Sequence, residues 1–314
     1  MLVTTMLVAT SGGHLTQLHL LRPRIAPGPD VVWVTDSTAQ SRSLLEGERV
    51  LSLPNRAPRA YLGIVRDYLT LCRAFRAQRI DHVYSTGAQM ALSALLAAKS
   101  FRVPFSYIES GTRVRELSAT GRVIEHVPGI ARYVQYPFAA NDRWDFALSV
   151  FEGFEVEPAE PPAGPPRVVV TVGGNAHYGF ERLIRHLQSV LPRDWSVLWQ
   201  VGPSELSDLD IETVVSLPSA RLRQEIASAD IVISHAGTGS ILTALSLGKR
   251  PVIVPRRAAH GEHVDGHQDD LAAFVGEAGL AMVLEADAVT LDDLEESRRW
   301  RVLAAHDLEP VALA

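Results

Sequence analysis

The chain has 314 residues, 46% of them hydrophobic, and a formal net charge of −6. That length supports two ordinary domains with separate cores and excludes a disordered polymer. The single Cys72 excludes an internal disulfide or a cysteine-built metal centre. No apolar run approaches the roughly 20 residues of a membrane-spanning helix, and the N-terminus lacks the basic start and cleavage region of a signal peptide, so the expected compartment is the cytoplasm.

Charge is unevenly distributed. Residues 1–150 hold 17 Lys and Arg against 11 Asp and Glu, whereas residues 151–314 hold 13 against 25. The basic first half implies an anionic partner such as a phospholipid surface, while the acidic total argues against nucleic acid.

In chain order, apolar runs at 5–10, 31–35, 50–53, 82–85 and 104–108 alternate with stretches of helical spacing. Between residues 58 and 79, Leu62, Val65, Leu69 and Cys72 recur on one side, and Tyr61, Ile64, Tyr68, Leu71 and Phe75 beside them, which predicts a helix with a broad apolar face. Arg59, Arg66 and Arg73 recur every seven residues with Arg76 close by, forming a basic stripe suited to anionic lipid. Residues 156–166 contain five prolines and read as a semi-rigid linker. The chain is thereby divided into a domain at 1–155, the linker, and a domain at 167–314. The second domain repeats the alternation with runs at 168–172, 197–201, 231–234, 251–254 and 281–284, followed by an acidic helical tail at 291–308. Each half reads as a βαβ series, hence a mainly parallel sheet with helices on both faces. Such sheets bind ligands beyond the carboxyl ends of their strands, and two such edges facing one another would make a cleft.

The polar motifs fall at those ends. Most informative is I-V-I-S-H-A-G-T-G-S-I from Ile231 to Ile241, a buried strand followed by a tight turn and a helix start. The first free N–H groups of that helix and the positive end of its dipole favour a diphosphate. The segment is neither a Walker loop nor a G-x-G-x-x-G fingerprint. Ser234, His235, Gly237, Thr238, Gly239 and Ser240 crowd the turn. His235 can either donate to a phosphate or anchor the turn. Ser11, Gly12, Gly13 and His14 follow the first strand, Ser85-Thr86-Gly87 a later one, Glu109-Ser110-Gly111-Thr112-Arg113 another, and Gly173-Gly174-Asn175 opens the second half.

With these residues assembled, the chain resembles glycosyltransferases of the GT-B fold, and specifically a single-chain fusion of the acceptor and catalytic subunits of the dolichol-pathway UDP-N-acetylglucosamine transferase and its bacterial polysaccharide counterparts, which are family-28-like. The first half carries S-G-G-H at 11–14, Y-I-E-S-G-T-R-V-R-E-L-S-A-T-G-R at 107–122 and V-Q-Y-P at 134–137. The second carries V-T-V-G-G at 170–174, S-H-A-G-T-G-S-I at 234–241, G-K-R-P at 248–251 and H-Q at 267–268. The resemblance implies an α/β protein with two Rossmann-like domains facing across a cleft. It implies transfer of a hexose or hexose derivative (N-acetylglucosamine, glucuronate or galactose) from a UDP-sugar to a polyprenyl-diphosphate-linked saccharide, inverting, with no cofactor and no metal, on the inner face of the cell membrane.

Under that resemblance the donor site comprises Gly173, Gly174, Ser234, His235, Gly237, Thr238, Gly239, Ser240, Thr243, His263, Gln268 and Asp269. Thr243 stands where the family places a ribose-binding glutamate. The acceptor site comprises Ser11, Gly12, Gly13 and Arg113. His14 is the preferred general base because its intrinsic pKa lies near neutrality. Glu109 competes for that role, or else forms an ion pair with Arg113 or Arg115. His260, His263 and His267 do not make a metal site, since Gly261 and Gly266 break any helix through all three. The family's N-terminal membrane helix is not expected, because the first strand begins almost at Met1. Two other readings remain open: a UDP-sugar 2-epimerase of the same architecture and a non-catalytic nucleotide-sugar-binding scaffold.

Overall fold

A computed structural model describes residues 4–26, 28–54, 61–173, 178–263, 266–304 and 308–313, the side chains of Tyr61 and Leu62 excepted. The chain divides into two compact units between Glu152 and Gly153, with the segment from Leu308 belonging to the first.

The first unit runs β1 (Thr5–Val8), α1 (Gly13–Ile25), β2 (Val31–Asp36), α2 (Ala39–Leu44), β3 (Val50–Leu53), α3 (Tyr61–Ala77), β4 (His82–Ser85), α4 (Gln89–Phe101), β5 (Phe105–Ile108), α5 (Ala119–Glu125), β6 (Ala131–Val134) and β7 (Asp145–Phe146). Its sheet has the order β3-β2-β1-β4-β5-β6-β7, with every neighbouring pair parallel. Strands buried on both faces need unbroken apolar runs, and Met6, Leu7, Val8, Val32, Trp33 and Val34 supply them. Leu71 and Phe75 of α3 and the small residues Ala91, Ala94 and Ala98 of α4 close one face of the core.

The second unit runs β8 (Phe154–Pro158), β9 (Arg167–Thr171), α6 (Glu181–Val190), β10 (Ser196–Gln200), β11 (Thr213–Val214), α7 (Ser219–Ser228), β12 (Ile231–His235), α8 (Thr238–Ser246), β13 (Val252–Val254), α9 (His267–Glu277), β14 (Met282–Val283), α10 (Leu291–Ser297) and β15 (Trp300–Ala304). Its main sheet is again parallel, in the order β11-β10-β9-β12-β13-β14. Val168 and Val170 face Leu183, Ile184 and Leu187 of α6, while Val169 and Val232 face Ile226 of α7 and Ala244 of α8.

All ten strands expected from apolar runs are present. The structure differs in the tail, where α10 ends at Ser297 and β15 pairs antiparallel with β8, matching Val302 to Val156. Trp300–Ala304 alternates between buried and exposed side chains, the period of a strand rather than a helix. The same ladder places Val156 and Pro158, assigned to the linker by composition, inside β8. Pro158 is that strand's last residue, and the remaining prolines of the segment lie beyond it, where no ladder N–H is needed.

In each sheet the order reverses once about a central pair, β1 and β4 in the first and β9 and β12 in the second. Open parallel sheets take ligands beyond the strand ends at such a reversal. The glycine-rich loops follow these four strands.

Candidate functional sites at the two strand-order reversals

In the first unit, β1 runs into a loop whose Gly12 adopts φ +96°, and α1 begins at Gly13. Ser11 donates from its N–H and hydroxyl to the two carboxylate oxygens of Asp36 (2.6 and 2.7 Å). The Gly12 N–H donates to Gln40 Oε1 (2.6 Å). The backbone N–H groups of Ser11 and Gly12, residues the resemblance gives to the acceptor, are thus engaged by Asp36 and Gln40, which fixes the loop that leads to His14 in the first turn of α1.

His14 Nδ1 lies 2.8 Å from the Thr86 carbonyl. A carbonyl oxygen only accepts, so Nδ1 carries the hydrogen and Nε2 keeps its lone pair. The Thr86 hydroxyl in turn donates to the His14 carbonyl (2.9 Å), tying the ends of β1 and β4 together. Gly87 makes this fit possible: at φ +119°, a Cβ there would sit 3.0 Å from the Tyr107 hydroxyl and 3.1 Å from His14 Cε1. Burial holds the His14 pKa below the ordinary 6.5, and the Arg113 charge adds to the effect while the bond to Thr86 opposes it. The imidazole is therefore neutral at pH 7, as a proton acceptor must be.

Glu109 follows β5 and is 1% exposed. Its carboxylate accepts from the N–H of Ser110 (2.7 Å) and from the N–H and hydroxyl of Ser118 (3.1 and 3.0 Å). A Cβ at Gly121 would lie 2.0 Å from Glu109 Oε2, so the first turn of α5 closes over the carboxylate. Burial raises the Glu109 pKa, opposed by the bonds from Ser110 and Ser118 and by the Arg113 charge. These contacts give Glu109 the geometry of a brace joining β5 to the start of α5. Arg113 is half-buried and acts electrostatically on both Glu109 and His14, which brings three sequence-selected residues into one neighbourhood.

Sequence reasoning missed the supports of this loop. Buried Gln17 on α1 accepts from the Gly111 N–H (2.7 Å) and donates to Ser110 Oγ (3.1 Å). Gln135 donates to the Glu109 carbonyl and to Gln17 Oε1 (both 2.9 Å), and Tyr136 donates to the Gly111 carbonyl. Gln135 falls within the V-Q-Y-P motif, so a signal was present without a role.

In the second unit, β9 and β12 end side by side. Gly173 has φ +81°, and a Cβ there would sit 2.7 Å from His235 Cε1; one at Gly237 would sit 2.3 Å from His235 Nε2. The imidazole thus lies against two glycines, and both positions require glycine for close approach. Burial, helped by the Arg256 charge and opposed by the Thr171 carbonyl, pushes the His235 pKa down to about 3. His235 is neutral at physiological pH, and its imidazole is packed against the turn.

The Gly237 N–H closes back on the His235 carbonyl (2.8 Å), and α8 starts at Thr238 behind Gly237, an N-cap with no side chain of its own to close the terminus. Gly237, Gly239 and Ser240 are half-buried, whereas Thr238 is buried. Ser234 is fully buried and its hydroxyl bonds to the His235 carbonyl (3.0 Å), so its role is internal. Thr243 donates to the Gly239 carbonyl (2.7 Å), leaving its oxygen lone pairs to accept a bond. Gly174 and Asn175 lie outside the described residues.

His263 stands 5.6 Å from the Tyr178 ring and 4.8 Å, edge-on, from that of His267, and its charge acts on His235. Gln268 Oε1 accepts from the Arg256 N–H (3.0 Å), and Asp269 pairs with Arg257, which also pairs with Glu285. Among the described residues, no group of three or more His, Cys, Asp and Glu is placed to hold a metal ion.

On α3, Arg66, Arg73 and Arg76 are exposed, interleaved with exposed Val65 (57%) and Leu69 (50%). On the helices packed in series beside it, Leu96 and Lys99 of α4 and Val123 and Arg122 of α5 are also exposed. Arg59 lies outside the described residues. No helix among the described residues is long and apolar enough to cross a membrane.

Compared with known proteins, residues 167–310 match the glycosyltransferase family 28 C-terminal domain. Over 320 residues the chain is 20% identical to the UDP-N-acetylglucosamine–N-acetylmuramyl-(pentapeptide) pyrophosphoryl-undecaprenol N-acetylglucosamine transferase of Prochlorococcus marinus (strain MIT 9215), covering 93% of this chain and 85% of that protein. Among solved structures, Acinetobacter baumannii MurG aligns with a TM-score of 0.57 at 18% identity, over 93% of this chain and 89% of its own. A UDP-N-acetylglucosamine 2-epimerase aligns with a TM-score of 0.54 at 13% identity, over 95% and 86%, a likeness of fold alone.

Proposed function

We propose that this chain, similar to glycosyltransferases of family 28 and of the GT-B fold, is a UDP-sugar-dependent enzyme that moves a hexose or hexose derivative to a polyprenyl-diphosphate-linked saccharide at the inner face of the cell membrane. The observation that carries the donor half of this reading is the glycine-led start of α8, set beside Gly173 and His235 at the strand-order reversal. Oriented N–H groups there stabilise the leaving diphosphate without a cation. His263 and Gln268 line the sugar side of that site, and the Thr243 oxygen accepts from the ribose.

The first unit takes the acceptor. Its hydroxyl oxygen attacks the anomeric carbon as the bond from that carbon to the diphosphate oxygen breaks. The hydroxyl proton passes to His14 Nε2, and UDP departs with the bonding pair, so one displacement inverts the anomeric centre. Arg113, adjacent to His14, attracts the acceptor's diphosphate. N-acetylglucosamine is the first donor to test, with glucuronate and galactose as the others.

Turnover distinguishes the readings. With UDP-N-acetylglucosamine and a polyprenyl-diphosphate saccharide, the transferase releases UDP and extends the lipid-linked glycan. A 2-epimerase, the reading favoured only by fold likeness, isomerises the sugar nucleotide with no acceptor present; a scaffold does neither.

Membrane docking belongs to the same proposal. Arginines near an anionic surface contribute about 1 kcal/mol each, and the interleaved Val65 and Leu69 add apolar contact. The full chain is expected to float with vesicles containing anionic lipid, and an Arg66→Gln, Arg73→Gln, Arg76→Gln triple variant to remain largely in the dense fraction. Equal flotation of the two proteins would remove this face from the docking surface.

A further inference from the structure

Behind the donor turn lies a charge that the proposed chemistry has not used. Arg256 follows β13 and is 1% exposed, among the most deeply buried large side chains of the protein. Its Nη2 donates to the Val172 carbonyl (2.7 Å), and its guanidinium carbon stands 5.6 Å from the centre of the Phe180 ring. Nε is buried without a hydrogen-bond partner, and among the described residues Arg256 makes no ion pair. By contrast, its neighbour Arg257 pairs with both Asp269 and Glu285, and Glu262 is engaged bidentately by Arg182 (3.0 and 3.1 Å).

A guanidinium buried without an internal carboxylate is costly, because desolvation is not offset by a paired charge. Burial lowers the Arg256 pKa only to about 10, so it stays charged at neutral pH. Glu262 and Glu181 act on it electrostatically without pairing with it, while the neighbouring His235 is neutral and the start of α8 presents the positive end of a helix dipole. The guanidinium charge is thus only partly offset within the second unit, and it attracts a negative charge that arrives from outside.

Arg256 also touches the segments that shape this corner of the unit. Its side chain holds the carbonyl of Val172, the residue before Gly173, and its backbone N–H is held by Gln268 at the start of α9. We propose that Arg256 is a positioning residue for the donor: a fixed buried counter-charge that sets the Val172–Gly173 turn and attracts the donor diphosphate through the His235 wall without touching it. The proposal rests on the reading of this site as a nucleotide-sugar site, and extends it to a residue whose R-R sequence context looks like ordinary surface charge.

The test compares UDP with uridine on the full chain, using calorimetry for the first and ligand-observed NMR for the second. A purely structural residue affects both ligands alike, whereas a counter-charge affects only the one that carries phosphates. Arg256→Met is expected to weaken UDP binding about tenfold with uridine affinity unchanged, and Arg256→Lys to stay within about threefold of the parent for both. Should Arg256→Met fail to fold, Arg256→Gln, which still donates to the Val172 carbonyl, gives the same reading. Parallel losses for UDP and uridine, or no loss for UDP, would overturn the role of Arg256 alone. A parent protein that binds neither ligand would overturn the donor reading, and this role with it.

Discussion

His14→Ala is expected to lower turnover by roughly 10²- to 10⁴-fold, the range for loss of a positioned general base, while leaving UDP affinity and the melting temperature close to those of the parent. The expectation follows from the tautomer. With Nδ1–H committed to the Thr86 carbonyl (2.8 Å), Nε2 is the only ring nitrogen able to accept a proton from an acceptor hydroxyl. A residue kept below its ordinary pKa of 6.5 is already in the accepting form at pH 7. Accordingly kcat/KM should rise with pH through a midpoint below 6.5 and then level off. The same depression has a stability consequence of fixed sign. Below pH 6.5 the unfolded chain binds the proton more readily than the folded one, so the His14 contribution is complete above 6.5 and is lost as pH falls toward the folded value.

Two further substitutions separate the base from its surroundings. Gly87→Ala places a methyl group about 3 Å from His14 Cε1 and Tyr107 OH at a backbone angle of +119°, so it should reproduce much of the loss by moving the ring. Glu109→Gln turns an acceptor toward three donors from Ser110 and Ser118 into a group that must present an NH₂ to some of them, and it should lower the melting temperature along with the rate. Retention of more than about a tenth of parental turnover in His14→Ala would assign the proton to another group.

The contrast between His14 and Glu109 also shows which parts of the site were legible in the residue string. Strands buried on both faces leave apolar runs, and glycine-containing polar clusters mark where the chain turns at strand ends, so ten strands and five loops could be read directly. Strands β6, β7 and β11 were not, because Arg132, Asp145 and Thr213 interrupt them and leave no apolar run. The β8–β15 ladder was missed for a different reason: its partners lie more than 140 positions apart, and Pro158 and the acidic tail favour other local readings. The supports of the first site were equally opaque, because Asp36, Gln40, Gln17 and Gln135 hold loops far from them in sequence. Ser234 looked like a ligand group because of its neighbours, yet the pleat of β12 turns it inward, a matter of register that composition does not encode.

The other large effect is expected at Gly173. Gly173→Ala should reduce kcat/KM about 10²-fold, the penalty typical of misplacing a binding element by an ångström, and weaken UDP binding with it. The methyl group would lie 2.7 Å from His235 Cε1 and 3.0 Å from Nε2, closer than carbon and nitrogen can pack. The imidazole is already confined, because Gly237 approaches the same Nε2–Cε1 edge so nearly that a Cβ there would come within 2.3 Å of Nε2. Either the Val172–Gly173 turn or the start of α8 must therefore move, and both belong to the proposed diphosphate site. The substitution also forces alanine into a left-handed conformation at φ +81°, costing roughly 1–2 kcal/mol whatever the space. Gly279→Ala isolates that second cost, since Gly279 has φ +71° and nothing within 4 Å of the added carbon. It should lose about 2–8 °C in melting temperature and keep the parental affinity for UDP. If the two variants lose UDP affinity equally, backbone strain is the whole effect, and the imidazole packed on glycine has no part in holding the nucleotide.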